Sequence, residues 1–381
     1  MRYLIPEFTG LGDIIQKTPM IKGVRDIDPE AELILIGDNR WGGLSVIENS
    51  PLVQEVCNIL DILDLRLPEE YSNTQIAGLY RSLSRSQTSR LSECLCETRW
   101  DVFFDDQHSD IPPILTQLIE ENSKERVFRH VDISDMARSP KRRMFGLKKP
   151  AAEVTKVPIL RGRHDIDSNY DLLEYCCERP LDRVYDTWVS LEISPEHLKR
   201  WTLTDGEYFC IQPGAANGAL TPKTWHPKNF VTLVRRLVDI FDLKVVLVGD
   251  AGDQEHIISK WEWPDGVINT AGSTTIDELG MLIGGARCVI AHDSSVMHLA
   301  NAMEVPLVAL YGPTNYTATR PLGAKSRILF SKTPAFGAMY RTGISEKKLA
   351  EKFPNNEAMR GIRVEEVIST IRTLLDAKKK I

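Results

Sequence analysis

What the sequence lacks narrows it quickly. No apolar run approaches the roughly 18 residues that a bilayer-spanning helix needs. The opening "MRYLIP" is too short an apolar stretch for a secretory leader, so the chain is expected to stay in the cytoplasm. Its seven cysteines contain no C-x-x-C. Cys94 and Cys96 stand one residue apart, Cys176 and Cys177 are adjacent, and neither spacing suits zinc. Thiols scattered in this way fit a reducing compartment, and no metal is expected. The loop G-x-x-x-x-G-K-[ST] is absent, which argues against nucleoside-triphosphatase chemistry. Basic residues do not dominate: 47 Lys and Arg face 53 Asp and Glu. No nucleic-acid partner is therefore expected, and any anionic surface must be met by a local patch.

What is present is a repeated alternation of short apolar runs with helix-like segments. A chain of 381 residues exceeds one ordinary core and implies two domains. In the first half "RYLIP", "AELILIG" and "DVFFDD" read as strands. Helical stretches lie between them at "DIIQKTPMIKGVRDIDP", around 75–95 and around 112–124. The pattern fails between Ser134 and Lys156, where a basic stretch reads as a loop or a small inserted helix; "DSNYDLLEYCCERP" after it is helical. In the second half "YFCIQPG", "KVVLVGD", "CVIAHD" and "PLVALYG" are strands separated by helices. This rhythm predicts α/β architecture, with two Rossmann-like doubly wound domains facing each other across a cleft. Boundaries are expected at 1–190, with a basic insertion near 134–156, and at 205–345. A helical segment at 346–381 is expected to pack back on the N-terminal domain.

In open parallel sheets, ligands bind beyond the carboxyl ends of the strands, and the candidate residues stand at such ends. The first group is "TGLGD", where Thr9, Gly10 and Gly12 allow a tight turn and close approach of a substrate. Ile15 occupies the place of the third glycine of the dinucleotide fingerprint, so that reading is weak. Asp13 has two readings: a cap on a helix starting at Ile14, or a general base for an attacking hydroxyl. The second group, "QPGAANGALTPKTWHPKNF", runs from a strand through Gly214 to Lys223, which adds a compact positive charge to backbone N–H groups able to face phosphate. The third, "CVIAHDSSVMHLANAM", ends a strand in Asp293, Ser294 and Ser295 at a helix start. Hydroxyls, free N–H groups and the helix dipole there can meet an anion, and His298 shares the face of Ser295. In "VVLVGDAGDQEH", Asp250, Asp253 and Glu255 are candidates for a ribose contact or for helix caps.

In chain order these residues resemble glycosyltransferase family 9, the heptosyltransferases of lipopolysaccharide core assembly. The likeness runs from G-L-G-D through "WDVFFDDQHSD", the "IQPGA" loop with its K-T-W, and "VVLVGDAGDQE". It ends in the long block "NTAGSTTIDELGMLIGGARCVIAHDSSVMHLANAMEVPLVALYGPTN". The resemblance implies a glycosyltransferase-B fold and an inverting, metal-independent transfer from a nucleotide sugar, ADP-heptose by default, used as co-substrate. It implies an N-terminal domain for the acceptor and a C-terminal domain for the nucleotide sugar. By position Asp13 matches the base and Lys223 the lysine on the donor phosphates. Asp293, Ser294 and Ser295 match the diphosphate and sugar segment, and Glu255 best matches the ribose contact. Gly10, Gly12, Thr9, Gly214 and His298 join the donor-binding set.

Two features depart from the family pattern. Phe8 and Thr9 stand where small hydroxyl residues often precede Gly-Asp, and the basic stretch is long. Arg138, Lys141, Arg142, Arg143, Lys148 and Lys149 admit two readings: contact with an acidic glycolipid acceptor or inner-leaflet headgroups, or a solvated loop. Lys141, Arg142 and Arg143 are the acceptor-binding candidates. A different donor, a natural-product or protein acceptor, or nucleotide-sugar binding without turnover are the alternatives. A metal-dependent transferase would rest on Asp26-Ile27-Asp28 or Asp165-Ile166-Asp167, and neither D-x-D ends a convincing strand.

Overall fold

The computed structural model of the chain describes residues 1–66, 73–107, 110–122, 125–133, 136, 152–160, 162–191, 196–215, 221–339, 346–353 and 356–377. The chain divides into two compact units, Met1–Tyr185 and Asp186–Ile381.

The first unit holds six parallel strands: β1 (Arg2–Glu7), β2 (Glu32–Gly37), β3 (Val53–Asn58), β4 (Val102–Asp105), β5 (Arg126–Asp132) and β6 (Glu153–Ile159). They lie in the order β3-β2-β1-β4-β5-β6. β1 is the centre, paired with β2 from Arg2↔Glu32 to Glu7↔Gly37 and with β4 at Tyr3↔Val102. Both its faces are covered, so "YLIPE" is buried throughout. Leu4, Phe8, Ile34, Phe103 and Val127 form the core on one side with Leu91, Leu95 and Leu118. Each such side chain contributes roughly 1.5–3 kcal/mol on burial.

Helix α1 (Leu11–Ile27) follows β1. It begins three residues earlier than the sequence suggests, with Gly10 as N-cap and Asp13 inside its first turn. Pro19 in its interior removes the N–H that would bond the Ile15 carbonyl. The Thr18 hydroxyl takes that place, donating to Ile15 O at 2.7 Å. Helix α2 (Asp165–Cys177) lies against α1, where Asn169 donates to Gln16 O and Tyr170 to Pro19 O. The end of the stretch read from sequence as a loop is strand: residues 153–159 form β6, paired with β5 along its length.

The second unit repeats the design with β7 (Tyr208–Ile211), β8 (Lys244–Leu247), β9 (Ile268–Asn269), β10 (Cys288–His292), β11 (Leu307–Tyr311) and β12 (Ser326–Phe330). Their order is β12-β11-β10-β7-β8-β9, all parallel. Counted within the unit and from the other edge this is 3-2-1-4-5-6, as in the first unit. Helix α3 (Pro227–Phe241) starts with Pro at its first position and buries Phe230, Val231, Leu233, Val234 and Leu237. Helix α4 (Ala251–His256) follows β8, and α5 (Ser295–Ala302) follows β10.

Helix α6 (Val364–Ala377) corrects the sequence reading. The sequence places this segment against the N-terminal domain. Instead Val364, Val367, Ile368, Ile371 and Leu374 join the core of the second unit beside α3. Among the described residues no helix is long and apolar enough to cross a membrane.

Candidate active site

The strand order of the first sheet reverses between β1 and β4, the kind of point at which open α/β sheets hold ligands. The turn Phe8-Thr9-Gly10 leaves β1 there. The half-buried Asp13 carboxylate accepts the Gly10 N–H at 3.2 Å, while Gly10 O accepts the Asp13 N–H at 2.9 Å. The carboxylate is thus fixed at the positive end of α1, in a reciprocal cap rather than as the N-cap. A Cβ built on Gly10 would meet Asp13 Oδ2 at 3.6 Å, an ordinary contact. With φ at −85° the backbone does not demand glycine either. Thr9 is turned inward, its N–H and hydroxyl each donating to Glu7 Oε1 at 3.2 Å.

The sequence reading missed what lies beneath. Lys17 Nζ, 1% exposed, donates to Pro6 O at 2.9 Å and pairs with Asp106 at 2.9 Å and Glu7 at 3.4 Å. Burial opposes the ammonium charge, but Asp106 and Glu7 outweigh it and hold Lys17 charged. Burial pushes the Glu7 carboxyl up to about 7; Lys17 opposes this, and the charges of Asp13 and Asp106 add to it.

In the second sheet the reversal falls between β7 and β10, and there the donor candidates gather. His292, the last residue of β10, is fully buried. Its Nε2 accepts the Trp225 N–H at 2.8 Å, which leaves Nδ1–H to donate to Gly214 O at 2.7 Å. One imidazole therefore ties the start and the end of the loop that carries Lys223. Burial drives its pKa down to about 4, and the charge of Lys223 assists, so the ring is neutral and its tautomer set. Nothing local in the sequence marked His292; its partners are 67 and 78 residues away. Trp225 is anchored in turn, donating its indole N–H to Ile362 O at 3.0 Å.

Ser294 is the N-cap of α5, and its side chain makes no capping hydrogen bond to that helix. The Ser294 hydroxyl instead donates to Gln212 Oε1, so it serves the scaffold rather than standing open to an anion. Half-buried Asp293 accepts the Tyr311 hydroxyl at 3.3 Å, and Ser295 is half-buried. His298 is buried in α5, its N–H donating to Ser294 O at 3.3 Å.

Asp253 also lies inside: 1% exposed, it accepts from Gln212 Nε2 at 3.5 Å and its carboxyl is pushed up to about 7 by burial and by Asp250. Gly214 is required beside it, since a Cβ there would stand 1.6 Å from Asp253 Oδ1. Glu255, by contrast, is exposed on α4, 3.9 Å from His256. The D-x-D triplets serve helix ends: Asp28 pairs with the N-terminal amine at 2.7 Å and Asp167 with Arg183 at 3.2 Å. Arg138, Lys141, Arg142, Arg143, Lys148 and Lys149 lie outside the described residues.

Residues 144–348, more than half of the chain, match the model of glycosyltransferase family 9 (heptosyltransferase). The chain is 36% identical over 126 residues to lipopolysaccharide heptosyltransferase 2 of Escherichia coli K12, a match spanning 32% of this chain and 35% of that relative. Among solved structures, a family 9 glycosyl transferase from Veillonella parvula aligns with TM-score 0.67 at 19% identity, covering 98% of this chain and 97% of the other. The E. coli ADP-heptose lps heptosyltransferase II aligns with TM-score 0.64 at 19% identity over the whole of both chains. These likenesses give the glycosyltransferase-B fold, and with the family match they lead to one conclusion: the chain belongs to glycosyltransferase family 9, the heptosyltransferase family.

Proposed function

We propose that the protein transfers a sugar from a nucleotide-diphosphate donor to an acceptor hydroxyl with inversion at the anomeric carbon, without a metal, ADP-heptose being the donor and a lipopolysaccharide-type glycolipid the acceptor. Asp13 takes the acceptor proton as the acceptor oxygen bonds the anomeric carbon and the bond from that carbon to the diphosphate breaks. The departing diphosphate gains negative charge. Lys223 and the first-turn N–H groups of α5 would meet that charge, fixed in place before it develops. The observation that carries this reading is the neutral His292 clamp, which ties the Lys223 loop to the end of β10, one residue before Asp293 and α5. Gly10, Gly12, Gly214, Asp293, Ser295 and His298 complete the donor-binding proposal, and Lys141, Arg142 and Arg143 the acceptor side; Thr9, with both its donors on Glu7, is left out.

The test begins with calorimetric titration of ADP, GDP, UDP, CDP and NAD. ADP alone should bind tightly; preference for another diphosphate discards ADP-heptose, and NAD binding discards the transferase reading. Turnover of ADP-heptose on heptose-deficient lipopolysaccharide should then survive a chelator. It should fall about 10³-fold in Asp13→Asn with ADP affinity kept, and about 10²-fold in Lys223→Met with ADP affinity reduced.

A further inference from the structure

Three charged groups lie fully inside the first unit where its strand order reverses, and the proposed mechanism uses none of them. Glu7 and Lys17 are each 1% exposed, and the Asp106 side chain is equally enclosed. With all three ionised the cluster carries one net negative charge. Burying charge is costly, and apolar side chains of the same volume would serve stability as well or better. The surrounding chain nevertheless makes room for it. A Cβ on Gly43 would stand 2.8 Å from Glu7 Oε1. Glu7 also accepts both donors of Thr9, the residue preceding the Gly10 that Asp13 caps.

We propose that Glu7 is a positioning residue for the base Asp13: through Thr9 it fixes the turn from which Asp13 rises, and its negative charge strengthens Asp13 as a proton acceptor. This rests on the reading of Asp13 as the base. The charged groups that face Glu7 are Lys17 and Asp13 from α1 and Asp106 after β4; the Gly43 and Gly37 segments bring backbone against it. Lys17 sits closer to Asp106 than to Glu7, 2.9 against 3.4 Å, so its attraction is spent mainly on Asp106. Glu7 is left as the group that titrates, near pH 7. In the transfer step the acceptor proton goes to Asp13 and the electron pair of the broken anomeric bond goes to the diphosphate. Glu7 exchanges no proton in that step; its repulsion of Asp13 is relieved when Asp13 takes one.

The experiment is the pH profile of kcat, measured with ADP-heptose and heptose-deficient lipopolysaccharide, alongside ADP affinity. Wild-type kcat should rise through a limb near pH 7. Glu7→Gln, which keeps an acceptor for Thr9 but removes the charge, should lose that limb and run about tenfold slower at pH 8, with ADP affinity unchanged. Glu7→Asp should keep the limb, and Thr9→Ala, which removes one donor to Glu7, should move it to higher pH. A limb near pH 7 that persists in Glu7→Gln, or one unmoved in Thr9→Ala if Glu7→Gln does not fold, overturns the proposal. If Asp13→Asn still transfers sugar, the base assignment itself falls. If Asp13→Asn is inactive and the Glu7→Gln profile matches wild type, only the role of Glu7 falls.

Discussion

Both units run their strands in the order 3-2-1-4-5-6, yet the first surrounds its reversal point with carboxylates about a buried lysine, and the second mixes the carboxylates of Asp253 and Asp293 with glycine, hydroxyls and Lys223. Glu7 and Asp106 pair with the buried Lys17 in the first unit, and the charge of Asp13 acts on it from farther off. Gly214, Lys223 and the uncapped start of α5 occupy the corresponding place in the second, held by an imidazole that stays neutral. Under the proposed function one arrangement takes a proton and the other receives negative charge. The helices that follow the first strand differ in the same sense. α1 buries Gln16, Lys17 and Thr18 along with its apolar residues, while α3 is amphipathic and buries only apolar ones. A shared topology therefore sets where a site can be, and the polar residues it encloses set what the site can do.

Three measurements would break or sharpen this contrast. The largest effect is expected at Asp253, the buried carboxyl of the second unit. Its folded pKa of about 7 lies above its ordinary 3.8, so the stability it lends is complete below about pH 4 and lost as pH rises through 7. Asp253→Asn should match wild type in urea unfolding at pH 4 and be more stable by about 4 kcal/mol at pH 8. Equal curves at both values would mean that the carboxyl is not held in its neutral form.

Next comes a pair of glycines. Gly214→Ala meets Asp253 Oδ1 head-on, whereas Gly43→Ala meets Glu7 Oε1 at 2.8 Å. Thermal unfolding should show losses of about 3 and about 1 kcal/mol. The reverse ranking would show that the second site yields and the first does not. An effect close to that at Gly43 is expected from Thr18→Val in α1, which leaves the Ile15 carbonyl without the hydroxyl that replaces the N–H missing at Pro19. A loss of about 1–2 kcal/mol should appear in denaturant melts.

The strands that the sequence made legible are the central ones. β1, β2, β4, β7, β8, β10 and β11 are covered on both faces and read as apolar runs. β3, β6, β9 and β12 lie at sheet edges, where one side is open and the composition is mixed; "VQEVCN" and "EVTKVPI" carry no such run. β5, next to an edge, was hidden by Arg126, Arg129 and His130, although Arg129 is paired with Asp105 and Glu120. The same division holds for the site. Segments defined by local pattern, such as G-L-G-D and the Asp293–Ser295 helix start, could be found from spacing. Lys17 with Asp106, and His292 with Gly214, are matched only by folding, because each partner lies some 80–90 residues away in the chain.

The anchoring of Trp225 bears on when the second site can exist during synthesis. Its indole N–H is held by the carbonyl of Ile362, and Asn356 donates to Thr224 O at 3.0 Å. The ribosome makes Lys223 more than a hundred residues before it makes either anchor. The β-strands of the second unit are complete by Phe330, but the loop that carries its lysine gains these supports only after residue 362 has emerged. The first unit, whose strands end at Ile159, has every residue of its carboxylate cluster long before then. The carboxylate cluster of the first unit and the lysine loop of the second thus receive their last residues in a fixed temporal order, written into the chain by where its anchors fall.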